Sequence, residues 1–198
     1  MTVIHTIGHS NHEFVDFVSL LSLHRVTAIA DVRSYPVSGR FPQFNKSEIK
    51  SRLRGAGIRY VFLGEALGAR PGDMACYDKG VVDFDKVRET DLFKEGLASL
   101  RRGALDYRIC LLCAERDPAD CHRTWLVAQT LHDAGATIGH ILADGSSLSH
   151  DALLRRVAGV DSGTSSLFGD DAEVLVAAAR RESARVAHCL DDHELREE

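Results

Sequence analysis

Short apolar runs alternate with helical patterns along most of this chain, and each run ends in polar residues. Residues 2–7 stop at Gly8-His9-Ser10, and residues 26–32 run out through Asp31-Val32-Arg33-Ser34. Residues 58–63, 107–112 and 137–143 complete a set of five. Residues 2–7 alternate as a strand does, while residues 26–32 and 107–112 suit strands buried on both faces. Strands that alternate with helices dictate a parallel sheet with helices on either side. The expected fold is therefore α/β: a single doubly wound, mainly parallel five-stranded sheet with helices on both faces, over residues 1–160. Residues 161–198 read as an acidic tail with a helix from about Asp171 to His188.

Between the strands, Ser10 or Asn11 can cap a helix running to about His24, with Phe14, Phe17, Val18 and Leu21 on one face. Asn45 and Glu48 make a capping-box start for a helix ending near Gly55 or Gly57. Residues 84–102 are helical with a break near Thr90. Residues 118–134 form a helix with Asp117 as N-cap, Pro118 in first position and Gly135 just past the end. Residues 64–82 are glycine-rich and irregular, with Cys76 inside, and are long enough to serve as a lid.

In open parallel sheets, ligands bind beyond the carboxyl ends of the strands. This chain places His9, Ser10, Asp31, Arg33, Glu65, Cys113, Glu115 and Asp144 there. The densest group is the run from Cys113 through Glu115 to Cys121-His122-Arg123, where a strand hands over to a helix. Helix N-termini attract anions and lower thiol pKa values. The candidate catalytic residues are Cys113 as reactive centre, with Cys121, His122, His9, Glu115 and Asp31. The candidate substrate-binding residues are Arg33, Arg123, Ser10, Tyr35, Arg40 and Asn45.

Three chemistries suit this set. Cys113 can attack while His122 or His9 moves the proton and Arg123 holds an anion. Cys113, Cys121 and one histidine (His122 or His9) can instead bind a zinc-type metal. Seven residues between the thiols is wider than usual spacing, and Cys121 and His122 side by side on a helix would point apart. Third, the two thiols can exchange sulfur or electrons. Each residue also has a plain structural use. Cys110 reads as a packing thiol, His9 as a turn residue, Asp31 with Arg33 as a buried ion pair, and Phe44 and Tyr60 as core.

Charge separates these readings little. The net charge is -5, yet residues 33–59 hold seven basic side chains against one acid, and residues 161–198 hold ten acids against four arginines. A local anionic ligand, a small molecule or nucleic acid, is compatible with that pattern. No apolar stretch is long enough for a membrane span, and the start of the chain lacks the pattern of a signal peptide. The cytoplasm is the expected location. Five widely spaced cysteines do not look like a secreted disulfide framework.

The ordered segments Thr6-Ile-Gly-His-Ser10, Asp31-Val-Arg-Ser34 with Pro36, Pro42-Gln-Phe-Asn45, Gly57-Ile-Arg-Tyr60, Leu111-Leu-Cys-Ala-Glu115 and Cys121-His-Arg123 resemble the domain-of-unknown-function 488 family. The resemblance implies an α/β domain that keeps these polar positions and assigns no catalytic role. Asp-Val-Arg after a buried strand, with a later strand ending in cysteine, is more weakly similar to rhodanese-like sulfurtransferases. Here the cysteine-to-helix loop is longer and lacks a glycine-rich cradle. Thr164-Ser-Ser-Leu-Phe168 resembles a sliding-clamp docking peptide without its leading glutamine, with Leu167 and Phe168 as the anchor. The leading expectation is a cytosolic cysteine-dependent hydrolase or transferase acting on an anionic, nucleotide-like or nucleic-acid substrate. The alternatives are sulfur transfer and a non-catalytic module that binds nucleic acid or repair machinery.

Overall fold

Each crossover between neighbouring parallel strands carries at least one helix, so these strands all enter the sheet pointing the same way. The computed structural model describes residues 3–160 and 171–190. Strand β1 (Ile4–Gly8) leads to α1 (Phe14–Leu23), β2 (Ala28–Asp31), α2 (Lys46–Gly55) and β3 (Arg59–Phe62). A short α3 (Gly64–Leu67) and a hairpin of β4 (Tyr77–Asp78) and β5 (Val81–Val82) follow. Next come α4 (Phe84–Glu89), α5 (Asp91–Gly103), β6 (Ile109–Cys113), α6 (Gln129–Asp133) and β7 (Ile138–Ile141). Strand β8 (Ser147–Ser149), α7 (His150–Ala158) and α8 (Asp171–Val186) complete the order.

The main sheet has the order β3-β2-β6-β1-β7-β8. The first five of these run parallel, and β8 pairs antiparallel with β7. The expected five-stranded parallel sheet is present, with one further strand at its edge. That strand has only three residues, Ser-Leu-Ser, too short and polar to show a strand pattern. Side chains of β6 alternate between two cores. Ile109 and Leu111 join the cluster holding Leu67, Phe93, Leu97, Leu126 and Leu153. Cys110 and Leu112 join the cluster of Phe14, Phe17, Leu21, Ile49 and Leu53. Helices α1 and α2 thus cover one face, and the later helices cover the other. Central strands β1, β2 and β6 are buried along their whole length.

Four local expectations are corrected. Glu13, rather than Ser10 or Asn11, precedes α1, and Ser10 takes a positive φ of 46° instead. The Asn45 side chain does not cap α2; its Oδ1 accepts from Ser38 N at 2.6 Å and ties down the loop before the helix. The segment read as a lid contributes Leu67, Cys76 and Val82 to the core. The fourth correction bears on function. Residues 118–134 do not form one helix. Asp117 caps only a tight turn, Pro118–Asp120, through Ala119 N. Cys121 is then extended, with φ -140° and ψ 138°. Helical structure restarts at His122, passes through a π-helical stretch Arg123–Ala128, and continues as α6.

Helix α8 packs beside α7 and reaches the turn before Cys121, where Arg185 Nη2 donates to the Ala119 carbonyl at 2.9 Å and lies 2.8 Å from Asp120 Oδ1. Leu167 and Phe168 lie outside the described residues. Among the described residues, no helix is long and apolar enough to cross a membrane.

Candidate functional site

The site lies beyond the carboxyl ends of β1, β2 and β6. Gly8 and Cys113 are register partners at the ends of β1 and β6. His9 N and Ser10 N then bond to the carbonyls of Cys113 and Ala114, both at 2.9 Å, so the two loops leave the sheet together. Gly8 is required here because a Cβ would lie 1.7 Å from the Glu115 carbonyl oxygen.

Three ligating side chains meet in this corner. Cys113, Cys121 and His122 are all buried, and one donor atom from each lies within 4.8 Å of the others. His122 Nδ1 is 3.7 Å from Cys113 Sγ and 3.9 Å from Cys121 Sγ. Its other nitrogen, Nε2, is 3.0 Å from the Val32 carbonyl oxygen. A carbonyl can only accept, so Nε2 carries a proton, and Nδ1 is the nitrogen that faces the sulfurs. The extended backbone at Cys121 permits this: its side chain and that of His122 turn to the same point instead of fanning around a helix.

Glu115 lies beside the group. Its Oε2 lies 2.9 Å from Cys121 Sγ, a contact that two anions would not hold, so a proton is shared across it. Burial pushes the Cys113 thiol well above the usual thiol range, and Cys121 adds to this. Burial acts the same way on Cys121. There it is outweighed by the hydrogen bond from Cys113 and by Arg123 and His122, which hold that thiol well below the range. The Glu115 carboxyl is raised, by burial first and then by the Cys121 sulfur.

Arg123 is 0% exposed, and its Nη1 donates to the Glu115 carbonyl at 2.7 Å. It therefore holds the 113–121 loop from within rather than facing solvent. Asp31 and Arg33 form a second buried unit: Nε to Oδ1 at 2.9 Å and Nη2 to Oδ2 at 2.6 Å. Tyr60 Oη donates to Asp31 Oδ2 at 2.7 Å, and Arg33 Nη2 also reaches the Phe44 carbonyl.

A cleft of about 470 Å³ opens beside these groups, lined by His9, Ser10, Arg33, Tyr35, Arg40 and Ala114 among others. His9 stacks on Phe44 with centroids 4.5 Å apart and lies 3.0 Å from the Ser10 carbonyl through Nδ1. Burial, then the Arg33 charge, lowers its pKa to about 4. Another cleft, of about 390 Å³, lies at the opposite end of the sheet near Ala28, Arg59 and Ile109 and contains none of these residues.

A protein-family model described as a domain of unknown function, DUF488, matches residues 13–130, more than half of the chain. The chain belongs to the DUF488 family. The DUF488 match spans Asp31, Arg33, Cys113, Glu115, Cys121 and His122, and begins after His9 and Ser10. No curated protein and no solved structure matches the chain, so the weaker rhodanese-like similarity gains no support.

Of the residues singled out from sequence, the DUF488 fold brings together Cys113, Cys121, His122, Glu115 and Arg123 in one group. His9, Ser10, Arg33, Tyr35 and Arg40 line the adjoining cleft, with Asp31 behind Arg33. Asn45 stands apart on the loop that follows. Two contributors escaped the sequence reading. Tyr60 read as core although it closes one of the family-like segments, and its hydroxyl holds Asp31. The Val32 carbonyl is main chain, and no sequence pattern reports where a carbonyl points.

Proposed function

We propose that this DUF488 protein is an enzyme acting on an anionic, nucleotide-type substrate, with the Cys113, Cys121, His122 and Glu115 group as its reacting centre. One observation carries this reading. Arg33 is locked by Asp31 and lines a cleft whose wall at Ala114 is one residue from Cys113. A guanidinium held rigid in this way binds an oxyanion with little loss of conformational freedom.

The other lining residues fit the same substrate. Arg40 adds a second positive charge at the rim, and Tyr35, 71% exposed, offers a face on which a base can stack. His9 donates Nδ1–H to the Ser10 carbonyl, which leaves the Nε2 lone pair to accept a proton from a bound group. Arg123 fixes the loop that carries Glu115, so the carboxyl keeps its place beside Cys121. Cys113 is only 2% exposed, which suits a cysteine that works within the cluster better than one that attacks a substrate on its own.

Titration with adenosine 5′-monophosphate and with orthophosphate at low salt tests the reading. Saturable binding of the nucleotide is expected, weakened about tenfold or more in Arg40→Ala and in Tyr35→Ala, a change of about 1.4 kcal/mol. Both side chains are exposed, so neither change threatens the fold. Absence of saturable binding to either probe would contradict the proposed substrate class.

A further inference from the structure

We infer that Cys113, Cys121 and His122 bind a zinc-class divalent cation, with the Glu115 carboxylate as its fourth, exchangeable donor. This names the reacting centre of the site proposed above and rests on that reading only for its place in catalysis; the metal itself is measured without substrate.

The geometry points to a metal in four ways. First, the donor set is right: two sulfurs and one imidazole nitrogen lie within 4.8 Å of one another, and the Glu115 carboxylate beside Cys121 offers an oxygen of the kind zinc also takes. Second, the spacing is right. Metal–sulfur and metal–nitrogen bonds of about 2.3 and 2.0 Å at tetrahedral angles place sulfur and nitrogen roughly 3.6 Å apart. The two sulfur–nitrogen separations here are 3.7 and 3.9 Å.

Third, the imidazole is already oriented. A histidine that binds metal through one nitrogen commonly donates its other N–H to a carbonyl or carboxylate, which fixes tautomer and ring plane. His122 Nε2 does this with Val32 O. That leaves Nδ1 aimed at both sulfurs, at the distances given above. Fourth, the cluster spans separate pieces of chain: Cys113 ends β6, while Cys121 is extended and His122 starts the next helical stretch. The eight-residue step between the cysteines is closed by the tight turn Pro118–Asp120 and by Arg123 on the Glu115 carbonyl, so sequence distance does not hinder convergence.

Glu115 differs from the other three. Its side chain is 42% exposed, and it lines a cleft of about 630 Å³ with Arg116, Asp117, Asp120, Asp144 and Arg156. Three buried donors and one donor open to solvent form the pattern of a centre that exchanges its fourth ligand, in contrast to a closed structural site. The cysteines bind as thiolates, and their protons pass to solvent as the metal enters. The bound cation supplies Lewis acidity at that fourth position.

The test uses the full chain purified without chelator. Elemental analysis is expected to find about one equivalent of zinc. Exchange for Co²⁺ is expected to give the near-ultraviolet sulfur-to-metal band and the visible bands of a tetrahedral thiolate site. His122→Ala and Cys121→Ser are expected to lose more than nine-tenths of the metal, whereas Cys189→Ser, whose thiol is exposed and remote, keeps it. Glu115→Gln is expected to keep the metal and alter the visible cobalt bands. The cobalt spectrum of the unaltered protein decides the matter even if a variant fails to fold. Protein without zinc that gives no thiolate band with cobalt overturns the inference, as does a mass two hydrogens low from a Cys113–Cys121 disulfide in protein kept under reducing conditions. Either result leaves nucleotide binding in the Arg33 cleft to stand or fall by its own titration.

Discussion

His122 Nε2 lies 3.0 Å from the carbonyl oxygen of Val32, the residue that follows strand β2. That one bond joins the end of β2 to the helical restart after Cys121 and sets which nitrogen of the ring faces the two thiols. The expected state is the Nε2–H tautomer. Long-range proton–nitrogen correlation spectra read it directly, and an Nδ1–H tautomer would break the link between the fold and the cluster.

Gly8→Ala tests how closely the loops approach. The added methyl would meet the Glu115 carbonyl oxygen, which Arg123 also holds, so the loop must move. A loss of about 1–3 kcal/mol in urea unfolding is expected, as for other overpacked sites. Gly39, where a Cβ would meet nothing within 4 Å, serves as the control, and its alanine variant is expected to match the parent protein.

Asp31→Asn removes the carboxylate from a buried ion pair in which Arg33 is 7% exposed and Asp31 0%. It leaves a guanidinium without its counter-charge, at a cost of roughly 3–5 kcal/mol. Tyr60→Phe deletes a single hydrogen bond to the same carboxylate, at about 1 kcal/mol. Equal costs for the two variants, measured by chemical denaturation, would show that the ion pair is not the main support of Arg33.

Acid sensitivity follows from a buried chain away from the site: Thr6 Oγ1 to His140 Nδ1 at 2.9 Å, His140 Nε2 to His150 Nδ1 at 3.0 Å, and His150 Nε2 to Gln129 Oε1 at 3.0 Å. Gln129 Oε1 can only accept, so both rings donate toward it and Thr6 donates to His140 Nδ1; an extra proton would put a charge inside this buried chain. Burial, then His150, lowers the His140 pKa to about 2; burial, then His132, lowers that of His150 to about 4. The unfolded chain takes up these protons below pH 6.5 and the folded chain does not, so stability is complete above 6.5 and falls as the pH drops toward 4. For His150 alone the loss by pH 4 is on the order of 3 kcal/mol. Urea midpoints measured from pH 7.5 to 4.5 are expected to fall steeply in the parent protein and less so in His150→Gln. Parallel profiles would show that this chain does not set the acid limb.

Much of this architecture is legible from periodicity: β2 and β6 are the short apolar runs that strands buried on both faces make, and β1 lies in a stretch that alternates. The break at Thr90 is legible too, since its hydroxyl caps α5 through Phe93 N. What periodicity misreads is the stretch after Cys113. Asp117 and Pro118 are sound helix-start signals, yet here they start one tight turn, and the chain then extends at Cys121 before coiling again. Packing decides this: Trp125 Nε1 bonds to the Ala119 carbonyl at 2.6 Å, and Arg185 from α8 reaches the same carbonyl. Contacts from so far along the chain leave no local signature. A straight helix would have turned Cys121 and His122 apart; the extended residue turns them together, and with that the main objection to a shared ligand point disappears.

X-ray absorption at the zinc edge of the purified full chain examines that shared point most directly. The expected shell holds two sulfur scatterers at about 2.3 Å and two nitrogen or oxygen scatterers at about 2.0 Å. A shell made only of oxygen and nitrogen, as from a cation on surface carboxylates, would contradict it.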